Sequence, residues 1–249
     1  MRTYLAAILA ALATSLLGAD VWAAEKIDFT THPVNKWVKL SPRTGARIPR
    51  WQWEGSADYD PQRDLWIHQG GHDGGPQGFA TFTMQLDTGL WRQRLCNTYP
   101  PGVCCVDASN VFDTANRLFV RFPGGTLGHG WQWSRGVRMK ASHVWAYDSG
   151  ADRWTNMRPG PYAEPAKYSR EILGSLNSTG TYDPVHELVV SFAGQTSAGG
   201  TAALHVYDAY TNALTKMDAA NRPSRRCGSA LAYDAARDCL VMFGSQYDN

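Results

Sequence analysis

The sequence predicts an all-β protein assembled from repeated four-stranded antiparallel units, and three observations carry that reading. The composition is rich in turn formers and aromatics, with 24 Gly, 13 Pro and ten Trp among 249 residues. A pattern of strand, Asp turn, strand and Gly stop recurs along the chain at roughly 50-residue intervals. No stretch carries the apolar period of an amphipathic helix. With 43% apolar and 18% charged residues the chain can bury a substantial core, which excludes a disordered segment or a coiled coil. The formal charge is only +2, from 24 Lys and Arg against 22 Asp and Glu. Nucleic-acid binders carry a concentrated basic face, so no nucleic-acid partner is expected.

The first 23 residues read as a secretory signal peptide. Arg2 supplies the positive start, and Leu5 to Gly18 is apolar except for Thr14 and Ser15. In Val21-Trp22-Ala23 the short residues Val21 and Ala23 stand three and one before a cut after Ala23. The apolar run is too short to cross a bilayer comfortably, which takes roughly 20 residues. The expected mature chain, 24–249, is secreted or periplasmic, with no membrane insertion after cleavage. Export permits disulfides. Five cysteines are present, Cys96, Cys104, Cys105, Cys227 and Cys239, so at least one thiol is free or bonded to another chain. Cys96 can close a small loop with Cys104 or with Cys105. No Cys-x-x-Cys spacing exists, and no metal centre is assigned.

The repeat is anchored by four aromatics, Tyr59, Phe112, Tyr182 and Tyr233, spaced by 53, 70 and 51 residues. After each comes Asp (Asp60, Asp113, Asp183, Asp234), whose carboxylate can bond nearby backbone N–H groups and open a four-residue turn. A β-branched and aromatic strand follows each turn. Gly70-Gly71, Gly124-Gly125, Ala193-Gly194 and Gly244 then stop it. The second half of the unit begins at Phe82, Met84 and Leu86, which alternate with Thr81, Thr83 and Gln85. Asp87 is expected to turn the chain and Trp91 to open a fourth strand. Val144 to Tyr147, Asp148 and Trp154 repeat that half, as do Leu204 to Tyr207, Asp208 and Leu214. A unit of four strands cannot cover both its faces alone, so units must stack on one another.

These residues resemble the kelch repeat: the aromatic-Asp turn, the Gly pair after strand two, the Tyr-Asp turn and the Trp six residues later. The resemblance spans about residues 36–249. It implies a kelch-type β-propeller, related to the central domain of galactose oxidase-like proteins, with about three and a half blades present. Trp37-Val38-Lys39-Leu40 matches the fourth strand of a unit and is suited to close a last blade. The chain stops after strand two of the fourth unit, so the favoured reading is a fragment of a larger ring, incomplete at the C-terminus, and the alternative is an unusual four-bladed ring that closes. If Tyr233 and Asp238 flank the last turn, facing residues there sum to about 471, which keeps Cys227 away from Cys239. Both are then expected as small buried apolar side chains.

In an up-and-down blade the first-to-second and third-to-fourth turns share one end, and the remaining loops share the other. The turns at Asp60 to Asp64 and Asp148 to Arg153 are short. The other connections are expected to be long: Gly70 to Gly75, Cys96 to Cys105, Phe122 to Ala141, Arg158 to Arg170, Gln195 to Gly200 and Ala219 to Arg226. Function concentrates in long loops on a rigid scaffold. The candidate ligand-binding residues are therefore His72, Asp73, His129, Trp131, Trp133, Arg135, Arg138, Tyr168, Arg170 and Arg225. Trp faces stack on sugar rings, Arg pairs bidentately with carboxylate or sulfate, and His serves as base or ligand. The expected partner is a glycan, an acidic one above all, or a protein. The alternative is a carbohydrate-active enzyme. A polysaccharide lyase would neutralise a uronate with Arg135 or Arg170 and remove a proton with His129 or Tyr168. The resemblance also allows a copper-radical oxidase, whose Tyr, His and Cys ligands cannot be assigned in this sequence. No cofactor follows from the residues themselves. No nucleophile elbow, P-loop, dinucleotide fingerprint or zinc-protease helix is present. His143 and His205 fall on third strands as packing residues, and Asn177-Ser178-Thr179 is a glycosylation sequon in a eukaryotic secretory route.

Overall fold

The computed structural model describes residues 26–37, 56–69, 80–96, 100, 109–122, 144–160, 178–196 and 199–245. Among them the chain is all-β apart from one turn of 3-10 helix at Phe29–Thr31. The first sheet holds β1 (Ser56–Asp60), β2 (Leu65–Gln69), β3 (Thr81–Gln85) and β4 (Leu90–Arg94). The second holds β5 (Asn110–Asp113), β6 (Leu118–Arg121), β7 (Trp145–Asp148) and β8 (Arg153–Asn156). The third holds β9 (Thr179–Asp183), β10 (Leu188–Thr196), β11 (Gly199–Asp208) and β12 (Ala213–Met217). A hairpin of β13 (Ala230–Asp234) and β14 (Cys239–Phe243) follows. Every pairing within these sheets is antiparallel, and strands lie in chain order.

The hairpin turns explain why the units repeat. Each of the seven has four residues and ends on a left-handed residue: Asp64, Gly89, Arg117, Asp152, Glu187, Asn212 or Asp238, with φ between 50° and 65°. Asp and Asn tolerate that region better than most side chains do. The Asp closing the preceding strand ties down the turn. Asp60 Oδ1 accepts from the Gln62 and Arg63 N–H groups at 3.0 and 3.2 Å. Asp148, Asp183, Asp208 and Asp234 each accept two backbone N–H bonds in the same way. The β3–β4 turn is the exception. Gln85, not Asp87, holds the strand-end position, and its carbonyl accepts from Gly89 at 2.8 Å. Asp87 sits inside the turn, where its carboxylate meets Lys26 at 3.0 Å. Leu86 belongs to that turn and not to the strand.

The sheets stack face to face with their first strands in sequence: β1 lies against β5, β5 against β9, and β9 against β13. Between the first and second sheets Leu65, Ile67 and Cys96 pack on Phe112, Phe119, Trp145, Tyr147 and Trp154. Between the second and third, Val111, Val120, Phe122 and Val144 pack on Val189, Tyr207 and Leu214. The second sheet is thus apolar on both faces. The alternation expected along β3 fails for a related reason: Thr81, Phe82 and Thr83 are all buried. Trp154 reaches across and donates its indole N–H to Thr81 Oγ1 at 2.8 Å, so a polar side chain is satisfied inside the interface.

Five further expectations need correction. Gln195 to Gly200 is not a long loop. β10 and β11 extend past a bulge between Phe192 and Gly194, with Gln195 paired to Gly200 and Thr196 to Gly199. The left-handed Gly194, φ 119°, makes that continuation possible. In the last hairpin Tyr233 faces Leu240 and Asp234 faces Cys239, so facing residues sum to 473, because all four turn residues lie beyond Asp234. Cys239 is exposed, because β14 has no sheet against it among the described residues, while Cys227 is buried as expected. Cys96 is a free thiol and not half of a small disulfide loop. Trp37 lies outside any strand and is fully exposed, and 38–40 fall outside the described residues. No helix among the described residues is long and apolar enough to cross a membrane.

Candidate functional site

The four-residue turns close one end of the strands. At the other end, buried polar groups accumulate between the sheets. Directly paired residues share a face in an antiparallel sheet. Asn110, Arg121, Trp145 and Asn156 therefore form one row of the second sheet, and Trp145 fixes that row against the first sheet. Asn110 confirms the placement by donating Nδ2–H to the Gln69 carbonyl at 3.2 Å.

Arg121 is the unusual member. It is 6% exposed, and its Nε has no hydrogen-bond partner among the described residues. Burial pushes its pKa down to about 10, which still leaves it a cation at neutral pH. A buried guanidinium ordinarily needs a carboxylate. Two carboxylates on the interface of the first and second sheets are committed elsewhere. Asp58 accepts from the Tyr59 and Phe112 N–H groups, both at 2.7 Å, and burial raises its pKa. Asp60 accepts from its own turn and from the Ser149 hydroxyl at 2.7 Å. Gln69 Oε1, buried on the same interface, is also unpartnered.

A second polar niche lies between the second and third sheets. The row Gly180, Ser191, His205 and Lys216 shares the face of Val189 and Tyr207 toward the second sheet. Ser109 Oγ lies 2.9 Å from Ser178 Oγ and 3.3 Å from Ser191 Oγ. His205 is buried, its Nε2 has no partner, and burial with help from Lys216 lowers its pKa to about 4. It is a neutral imidazole at pH 7.

Of the ten residues picked from the sequence, nine fall outside the described residues: His72, Asp73, His129, Trp131, Trp133, Arg135, Arg138, Tyr168 and Arg170. Arg225 is exposed in an irregular stretch ahead of β13 and is not brought near Arg121 or His205 by any described contact. Sequence reasoning missed Arg121. Its signal was a charge ending the apolar run Leu118-Phe119-Val120, where an exposed strand end looks the same as a buried one. Compared with known proteins, the chain matches no family model and no curated protein sequence.

Proposed function

We propose that this chain is part of an exported kelch-type β-propeller that binds an acidic glycan, or a protein presenting acidic groups, at the end opposite the Asp turns. The single observation that carries the reading is Arg121: a buried cation with no anionic partner among the described residues, set where β6 ends. A carboxylate or sulfate would supply a bidentate partner for its guanidinium. Gln69 Oε1 and the neutral His205 add unspent hydrogen-bonding capacity at the same end. The repeated turns and the ordered stacking of the sheets support the propeller reading. Trp131, Trp133, Arg135 and Arg138 stand in the sequence between β6 and β7 and lie outside the described residues.

The test is a binding panel of neutral, uronate and sulfated polysaccharides. Binding restricted to the acidic members, weakening with salt and lost in Arg121→Gln, Trp131→Ala or Arg135→Ala, supports the proposal. Acidic glycan binding unchanged in all three variants removes this end as the site. New absorbance from an unsaturated uronate during incubation would replace the binding module with a lyase. Copper-dependent peroxide production would replace it with an oxidase.

A further inference from the structure

A different cluster lies at the closed end, where the turns of the third sheet and the last hairpin meet. Asp183 ends β9, His186 lies in the β9–β10 turn, and Asp238 is the left-handed residue of the β13–β14 turn. One potential ligand atom from each falls within 4.8 Å of the others. The residues come from two hairpins about fifty residues apart in sequence, joined because β9 packs on β13.

Both carboxylates are anchored through one oxygen. Asp183 Oδ1 accepts the Val185 and His186 backbone N–H groups at 3.0 and 3.1 Å, leaving Oδ2 to the imidazole Nδ1 at 2.9 Å. Asp238 Oδ1 accepts from the Tyr233 hydroxyl at 2.7 Å. The corresponding turn position is Arg63 in the first sheet, Asn116 in the second and Arg237 in the last hairpin, each bonded to its strand-end Asp. Only in the third sheet is that partner a metal-ligating side chain.

We propose that Asp183, His186 and Asp238 form a site for a divalent first-row metal ion, zinc above all, that clamps the last hairpin to the third sheet. One imidazole and two carboxylates suit that class of ion, with water completing the coordination. Ligands about 2 Å from one ion lie within about 4 Å of each other, so a modest rotamer change in the exposed His186 and Asp238 closes the set. The metal takes the place of the proton on His186 Nδ1: in the neutral ring that proton moves to Nε2, and from the imidazolium it is released to solvent. Asp183 on its own turn and Asp238 on the neighbouring one are the charged groups facing the ring. This site lies at the opposite strand ends from the proposed ligand site, so each reading can fail without the other.

The experiment uses the full chain stripped with EDTA and titrated with zinc chloride at pH 7.5, with cobalt(II) as a spectroscopic stand-in. One saturable site is expected, with a visible cobalt band and a rise in Tm on zinc addition. His186→Ala and Asp238→Asn should each weaken uptake by more than about tenfold and abolish the zinc-dependent rise in Tm. Asn keeps the left-handed turn and can still accept from Tyr233, so Asp238→Asn tests the ligand and not the fold. Uptake should also weaken on acidification, as protons compete for the ring. Zinc stoichiometry and Tm response unchanged in both variants would overturn the proposal. So would the absence of saturable uptake by the unmodified chain.

Discussion

The Tyr147 hydroxyl donates to Asp152 Oδ1 at 2.6 Å, and that carboxylate ties two sheets together. Asp152 is the left-handed residue of the β7–β8 turn. The same Oδ1 accepts from the Cys96 thiol at 3.4 Å, and Oδ2 lies 4.0 Å from the Arg94 guanidinium, both at the end of the first sheet. Burial, then Asp152, pushes the Cys96 thiol up to about 12 and raises Tyr147 as well, so both remain proton donors. The relation recurs. Tyr59 donates to Asp64, Tyr207 to Asn212 and Tyr233 to Asp238, five residues on each time. Asn212 then donates to the Met157 carbonyl of the preceding sheet at 2.7 Å. One side chain both shapes the turn and staples neighbouring units.

Asp152 substitutions should separate those two duties. Asn keeps the left-handed turn and an acceptor for Tyr147, and loses only a long ion pair that is worth little, so Asp152→Asn should cost under about 1 kcal/mol. Ala strains the turn and leaves the Tyr147 hydroxyl buried without an acceptor, so Asp152→Ala should cost about 2–4 kcal/mol. Urea denaturation of the two variants, compared at equal m-values, measures the difference.

His205 should impose a pH dependence of known sign. Its folded pKa, about 4, lies below the usual 6.5, so the unfolded chain binds the proton more readily. Its contribution is fully present above pH 6.5 and is lost as pH falls toward about 4, up to about 3 kcal/mol in all. His205→Asn should flatten Tm against pH across that window, relative to the unmodified chain. An unchanged profile would mean that the imidazole titrates alike in the folded and unfolded chains. His186 has the opposite sign: its hydrogen bond to Asp183, then the Asp183 charge, raises its pKa. Stability from that pair is present at acid pH and fades as pH rises through the raised value.

The strands and turns were legible because their causes are local. An aromatic-Asp pair followed four residues later by Asp, Asn or a tolerated side chain specifies the hairpin without reference to the rest of the chain. Asp87 misled because it is an Asp at the wrong offset; the strand-end position belongs to Gln85. What the sequence hid depends on contacts between sheets. Gln69 and Asn110 meet although 41 residues apart, and no local pattern marks Arg121 as buried. Cys239 looked like a core residue because β14 reads as an apolar strand, yet nothing among the described residues covers it.

Gly180 and Gly160 should respond oppositely to Ala. A Cβ at Gly180 would lie 2.8 Å from Ser109 Cβ, 2.9 Å from Val111 Cγ2 and 3.0 Å from the Val190 carbonyl. Val111 belongs to the second sheet, Ser109 stands just before β5, and the Val190 carbonyl belongs to the neighbouring β10, so relief requires the sheets to part and β9 to shift against β10. Gly180→Ala should cost about 1–3 kcal/mol. A Cβ at Gly160 meets nothing within 4 Å, so Gly160→Ala should be neutral or stabilise by a few tenths of a kcal/mol, roughly, through the unfolded chain. Parallel thermal melts of the two variants check this.

Thiol chemistry should rank the described cysteines. Cys239 is exposed on β14, beside the exposed Val241 and Phe243. Cys227 is buried away from solvent, and Cys96 is buried too, with burial first and Asp152 second keeping its thiol out of the reactive thiolate form. Under native conditions at pH 8, iodoacetamide should label Cys239 within minutes and leave Cys96 and Cys227 unlabelled until denaturant is added. Peptide mass spectrometry reads the order directly. Early labelling of Cys96 would mean the first and second sheets open at the Asp152 staple. Protection of Cys239 would mean the exposed face of β14 is covered in solution. The variant Phe243→Lys, which makes that face polar, should then restore its reactivity.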